Sequence, residues 1–334
     1  MTINAYAALS RSKALQPFAY EPKPLGPHDV EIAVTHCGIC HSDIHMIDND
    51  WGITEYPLVP GHEIIGTVRD LGSEVRHLRK GQRVGVGWQS ASCMSCEWCI
   101  RGEENCCDRE EGVIVGRHGG FAEAVRVDSR FAFAVPDGLD SETAAPLFCG
   151  GITMYTPLRE NVRPSMRVGV IGIGGLGHLA LQFARAFGCE VTAFSTTPDK
   201  AMEAARFGAH HFVVSTDANQ MQRAARSLDV LLSAVTVPLD WKLWMSLLRP
   251  RGTLVILGAS PGTLDIAPMS LIVNKQTIRG SAIGNRTAMA EMLDFAARHG
   301  VRAMTETAPL KEVNSALARV RENKARYRVV LKNV

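Results

Sequence analysis

Hydrophobic positions along this chain follow two rhythms. Up to about residue 148 they come in short β-branched runs such as Val30–Thr35 (VEIAVT), Ile64–Val68 (IIGTV) and Arg83–Val86. Turn residues, among them Pro27, Gly61, Gly72 and Gly81, separate the runs. Short apolar runs bounded by Gly and Pro predict an irregular, mainly antiparallel β domain with few helices. Near Cys149 the texture changes. Strand-like runs at Arg167–Ile171, Glu190–Phe194, His211–Val214, Asp229–Ser233 and Thr253–Leu257 alternate with helix-period segments, the clearest at Gly177–Phe187 and Lys200–Phe207. Such alternation predicts a doubly wound parallel sheet covered on both faces. It ends near Thr277–Ile283. Helix-like segments at Ala288–Arg298 and Lys311–Arg321 and a strand at Tyr327–Leu331 follow.

Composition narrows the class. The chain has 334 residues, 46% hydrophobic and 21% charged. That is ordinary globular usage and excludes a largely disordered chain. The length suits about two domains. Thirty-six basic against thirty-four acidic side chains leave a formal charge of +2, which gives no electrostatic case for nucleic acid or an anionic membrane. The most apolar stretch, Val168–Ala184, is broken by five glycines and His178, so no membrane span is expected. Residues 1–17 lack the apolar core of a secretory signal, and a cytoplasmic location is the expectation.

Gly172-Ile173-Gly174-Gly175-Leu176-Gly177 fits G-x-G-x-x-G directly after a strand and at the start of a helix. In that context the glycines allow a tight turn, close approach of backbone to a pyrophosphate, and close helix–strand packing. The helix N-terminus offers N–H groups to the anion. An Asp or Glu about 20 residues further on would favour NAD. The second strand instead ends Phe194-Ser195-Thr196-Thr197, with Lys200 nearby. Hydroxyls and a cation suit a 2′-phosphate, so Ser195, Thr196 and Lys200 point to NADP(H). Asp199 is the competing feature, because a carboxylate reaching the ribose would weaken that preference.

Nine cysteines are too few and too unevenly placed for a disulfide scaffold. Cys93-x2-Cys96-x2-Cys99-x7-Cys107 places four thiolates on one loop, a standard closed shell for structural zinc. Iron–sulfur clusters use similar spacings; the absence of haem or flavin signatures and the presence of a second metal constellation favour zinc. Cys106 competes for the fourth place, and the spacing favours Cys107. The second constellation is dispersed over Cys37–His45, Gly61-His62-Glu63 and Phe148-Cys149. Taken singly, Cys149 reads as a buried filler and His62 as a satisfied histidine. Together Cys40, His62 and Cys149 give three ligands and leave an open position, as a catalytic zinc requires.

The chain resembles the zinc-dependent medium-chain alcohol dehydrogenases. Within them it is similar to the cinnamyl-alcohol-dehydrogenase group, especially bacterial NADPH-dependent aldehyde reductases. The resemblance spans essentially the whole chain. Its markers are CGICHSD (37–43), YPLVPGHEIIG (56–66), the four-cysteine loop (93–107), GGFAE (119–123), PLFCGGIT (146–153), GVIGIGGLGH (169–178) and KARYRVVLK (324–332).

The resemblance implies a GroES-like, mainly antiparallel β catalytic domain from residues 1–148 and 285–334. It implies an inserted Rossmann domain at 149–284. Cys40, His62 and Cys149 match the catalytic zinc ligands, Glu63 the acid beside them and Asp43 the carboxylate that orients a ligand. Ser42 matches the hydroxyl bonded to the substrate oxygen and His45 the outer end of a proton relay. His41 lies where a pyrophosphate contact is often found. Cys93, Cys96, Cys99 and Cys107 match the structural zinc shell. Phe148 fills a position that is often Leu. Trp51, Trp88 and Ile283 are candidate substrate-lining residues.

The implied activity is reversible reduction of aldehydes to primary alcohols with NADPH and two zinc ions per chain. A homodimer is implied, with Leu254–Leu257 and Thr277–Ile283 as candidate sheet edges. Three alternatives stand beside this. They are a zinc-free quinone or enone reductase, an NAD-dependent alcohol or polyol dehydrogenase, and a non-catalytic NADPH-binding redox sensor.

Overall fold

The structure, a computed structural model, describes residues 2–258 and 262–333. The chain divides into two compact units, Met1–Ile152 with Gly284–Val334, and Thr153–Ile283. The sequence placed these boundaries at 148/149 and 284/285. Packing puts residues 149–152 with the first unit, because a Cβ on Gly151 would stand 2.9 Å from Leu147 and 3.3 Å from the Met292 sulfur.

The first unit is built on a seven-stranded sheet. Its central strand, Asp29–Ile39, pairs antiparallel with Glu63–Leu71, Ala124–Asp128 and Arg328–Lys332. Arg83–Val86 and Phe133–Ala134 extend the sheet on one side and Thr305–Pro309 on the other. Val30, Ile32, Val34, Ile64, Val68, Val84 and Val86 are buried in one apolar core. The helix Val313–Arg321 covers it with Val313, Ala316, Leu317 and Val320, the i, i+3, i+4, i+7 stripe of an amphipathic helix.

The second unit is a six-stranded parallel sheet. Across the sheet lie His211–Val214, Glu190–Ser195, Arg167–Ile171, Leu228–Ser233, Leu248–Ile256 and Thr277–Gly280. Numbered along the chain this is order 3-2-1-4-5-6, the Rossmann arrangement, whose switch point lies between the first and fourth strands. The helix Gly177–Ala186 buries Leu179, Ala180, Phe183 and Ala184. Leu254–Leu257 does not lie at an edge: Leu248–Ile256 is paired on both sides, and Thr277–Gly280 is the outer strand. No helix among the described residues is long and apolar enough to cross a membrane.

Candidate active site

Three loops of the first unit bring the dispersed constellation together. The ligating atoms of Cys40, His62, Glu63 and Cys149 lie within 4.8 Å of one another, and all four residues are buried. Cys40 ends the central strand region and caps the helix His41–Asp48. His62 and Glu63 enter the next strand after Gly61, whose φ of +99° is the left-handed region that favours glycine. Cys149 follows the short turn Ala145–Phe148.

Asp43 organises the group. It is fully buried and accepts from the Cys40 and Gly61 backbone N–H groups and from His62 Nδ1, each at 2.9 Å. That bond fixes the imidazole with Nδ1 protonated and leaves Nε2 as the free lone pair. His62 Nε2 has no hydrogen-bond partner among the described residues. A buried nitrogen without a partner is costly, and beside two sulfurs it has the chemistry of a metal ligand. Cys40 Sγ and Cys149 Sγ stand 3.8 Å apart. The Cys149 thiol holds Cys40 well below the usual thiol range, and the same contact raises Cys149. Burial opposes protonation of His62, but Asp43 and Cys40 outweigh it and raise the imidazole to about 10. Two sulfurs, one imidazole and a buried setting fit zinc.

Glu63 offers one oxygen to Arg328, with which it forms a buried ion pair, and keeps Oε2 unpartnered. Gly38 makes room for it, since a Cβ there would meet Glu63 Oε2 at 2.0 Å. Ser42 Oγ lies 3.7 Å from Cys40 Sγ. Ser42 and His45 sit three residues apart on one helix, hence on one face. His45 is partly exposed and pairs through Nδ1 with Asp50 Oδ2 at 2.8 Å. His41, the first residue of that helix, is exposed.

An aromatic wall flanks the group. Trp88 lies edge-on to His62 at 5.3 Å and to Trp51 at 6.0 Å, and Trp51 lies 5.4 Å from His45. Burial pushes the nearby Glu110 carboxyl up to about 7, against the hydrogen bond from Trp88. Ile283 closes the second unit.

The four-cysteine loop forms a second cluster, with the sulfurs of Cys93, Cys96, Cys99 and Cys107 within 4.8 Å of one another. Cys106 is exposed and outside it. Backbone N–H groups of Ser95 and Cys96 hold Cys93 down to about 5, as a thiolate shell needs.

In the second unit the glycine motif forms the turn its sequence implies. Gly172 has φ +83°, and a Cβ on Gly177 would stand 1.9 Å from the Gly172 carbonyl oxygen. Gly174 faces open space, with nothing within 4 Å of its would-be Cβ. Gly175 and Leu176 complete the turn, and Leu176 caps the helix. His178, fully buried, donates from Nδ1 to the Gly174 carbonyl at 2.9 Å, and burial lowers its imidazole to about 4. Lys200 Nζ donates to the Ile173 carbonyl at 2.9 Å, which ties the end of the second strand to the glycine turn. Ser195 is buried and Thr196 exposed. Asp199 is bonded to the Thr197 hydroxyl. An open cradle with a cation at its rim fits a phosphorylated dinucleotide.

Sequence reasoning missed Asp50, Arg328 and Glu110. Asp50 was within reach, five residues after His45 in a stretch already singled out. Arg328 meets Glu63 across 265 residues, and no local signal announces it.

Comparisons with known proteins agree with this geometry. Residues 26–137 match the alcohol dehydrogenase GroES-like domain, and residues 175–298 match the zinc-binding dehydrogenase domain. The aldehyde reductase AdhA of Synechocystis is 45% identical over 330 residues, covering 98% of each chain. A probable cinnamyl alcohol dehydrogenase from rice is 40% identical, over 99% of this chain and 95% of its own. A probable mannitol dehydrogenase from strawberry is also 40% identical, over 98% and 94%. Among solved structures, the Sorghum bicolor cinnamyl alcohol dehydrogenase SbCAD4 superposes with TM-score 0.95 at 38% identity, over 99% and 98% of the two chains. The cinnamyl alcohol dehydrogenase of Helicobacter pylori, complexed with NADP(H), superposes with TM-score 0.91 at 30% identity, over 99% and 98%. The chain belongs to the zinc-type medium-chain alcohol dehydrogenase family, on its cinnamyl-alcohol-dehydrogenase-like branch.

Proposed function

We propose that this chain is a zinc-dependent, NADPH-linked aldehyde reductase that interconverts aldehydes and primary alcohols. The observation that carries the reading is the buried Cys40–His62–Cys149 group, with an imidazole nitrogen left without a partner. Cys40, His62 and Cys149 would hold the catalytic metal. Cys93, Cys96, Cys99 and Cys107 would hold the structural one. When bound, the catalytic metal supplies Lewis acidity toward a carbonyl oxygen, and the dinucleotide supplies the hydride.

The chain's own groups orient and move protons. Asp43 holds His62 in the tautomer that presents Nε2. Glu63, with one free oxygen beside the ligands, is placed to assist their exchange. The Ser42 hydroxyl gives a proton to the reduced oxygen. His45, partly exposed and held by Asp50, passes protons between that end of the site and water. The turn Gly172–Gly177, with His41, takes the diphosphate. Ser195, Thr196 and Lys200 take the 2′-phosphate, a reading supported by the capture of Asp199 in its own turn.

Initial rates over an aldehyde panel with NADPH and NADH test this. NADPH is expected to be strongly preferred. Lys200→Ala should raise KM for NADPH at least about tenfold, the worth of one hydrogen bond to a charged group, and leave KM for NADH nearly unchanged. Equal rates with both dinucleotides would overturn the phosphate assignment. Equal rises in both KM values would mean that Lys200 acts only through the glycine turn.

The similarity to mannitol dehydrogenases favours polyol oxidation as the second reading, and a panel including mannitol separates the two. The chain also acts as a homodimer in this proposal. Thr277–Gly280 is an outer strand, and the preceding helix Pro268–Asn274 exposes Met269, Ile272 and Val273, an apolar surface of the kind that marks interfaces. Light scattering should give twice the 36.3 kDa chain mass; a monomer at micromolar concentration would refute it.

A further inference from the structure

The exit of the four-cysteine loop carries a line of contacts to the aromatic wall. Trp88 is half-buried, with its ring at 79° to that of His62. Its backbone carbonyl accepts from the Val113 N–H at 2.7 Å. Gly112, in the short strand paired with Gln89–Ala91, leaves space for the indole: a Cβ there would stand 3.3 Å from its Cε2 and Nε1 and 2.9 Å from Val115. The indole N–H has the Glu110 carboxylate as its partner. Glu110 is itself fixed, since its backbone N–H donates to the Cys107 carbonyl at 2.9 Å.

We infer that Glu110 is a positioning residue that holds the Trp88 indole against His62, and so sets how bulky an aldehyde the site admits. This rests on the aldehyde reductase reading above. A half-buried indole has several staggered orientations. The space at Gly112 permits the observed one, and the bond to Glu110 selects it. A ring fixed beside a metal ligand is a wall, and a ring free to swing away is not. Loss of the acceptor should therefore favour large substrates over small ones.

The zinc-loaded protein tests this with naphthaldehyde and propanal as probes. In Glu110→Leu the ratio of their kcat/KM values should shift toward naphthaldehyde by about tenfold, the scale on which pocket shape discriminates. The zinc content should stay at the parent's value. Glu110→Gln keeps a carbonyl oxygen acceptor and should keep the parent ratio. In 5-fluorotryptophan-labelled protein, the Trp88 resonance, assigned through Trp88→Phe, should move or broaden in Glu110→Leu and stay in Glu110→Gln. In a Trp88→Phe background, Glu110→Leu should add nothing to the ratio shift. An unchanged ratio and resonance in Glu110→Leu, an equal shift in Glu110→Gln, or additive shifts in the double variant would each overturn the inference. If the parent reduces neither aldehyde, the proposed function falls, while the fluorine spectrum still decides whether Glu110 holds Trp88.

Discussion

Replacing His62 with alanine is expected to abolish aldehyde turnover, with kcat falling by at least about a thousandfold. The magnitude follows from the chemistry the metal supplies. Carbonyl polarisation by a Lewis acid is worth several kcal/mol, and each 1.36 kcal/mol is about a factor of ten in rate. Metal analysis should show one zinc fewer per chain, because two sulfurs alone do not complete a catalytic shell. The fold should survive. Asp43 loses the imidazole but keeps its 2.9 Å bonds from the Cys40 and Gly61 N–H groups, so its buried charge is not left bare. Dinucleotide binding should also survive, since Gly172–Gly177 and Lys200 belong to the other unit. Calorimetry with NADPH beside steady-state kinetics gives both readouts. Cys40→Ser, with a harder and less acidic ligand atom, should behave alike. Full activity in either variant would remove metal catalysis from the mechanism.

Much of this arrangement was legible because it is written locally. The parallel sheet announces itself through short apolar runs at regular spacing, and Arg167–Ile171 and His211–Val214 have the bounds their sequence implies. The glycine turn is legible because sterics admit few residues at Gly172 and Gly177. The four-cysteine loop is legible because one metal shell needs four sulfurs close together. Other features resisted for identifiable reasons. The helix His41–Asp48 is a mere eight residues, with a cysteine at its cap. The helix Gly150–Asn161 opens on two glycines and contains Pro157, so tertiary packing overrides its propensity. Contacts such as Glu63 with Arg328 are set by the pairing of Arg328–Lys332 with the central strand, which no local pattern encodes.

Cys96→Ser should produce the opposite pattern to His62→Ala. Among residues 93–107 only Cys99, Glu104 and Cys107 are buried. A loop with so little apolar surface removed from water cannot order itself by burial. Its order must come from the four sulfurs and from one clamp, the buried Glu104 carboxylate bonded to Arg286 Nε at 2.8 Å. Losing one thiolate should release the metal, since its binding free energy is folding free energy. A loss of roughly 3 kcal/mol would lower the melting temperature by about 5–10 °C in a unit of this size. At 25 °C the folded fraction should still turn over aldehyde, because Cys40, His62 and Cys149 are untouched. Its choice among aldehydes should drift, because Glu110 is fixed to Cys107. Differential scanning calorimetry with metal analysis decides the matter. Unchanged melting with one zinc fewer would show that the loop holds itself. A proportionate loss of stability with turnover retained would divide the two metals by task, because only the Cys40–His62–Cys149 group combines a buried ligand set with a position left open for substrate.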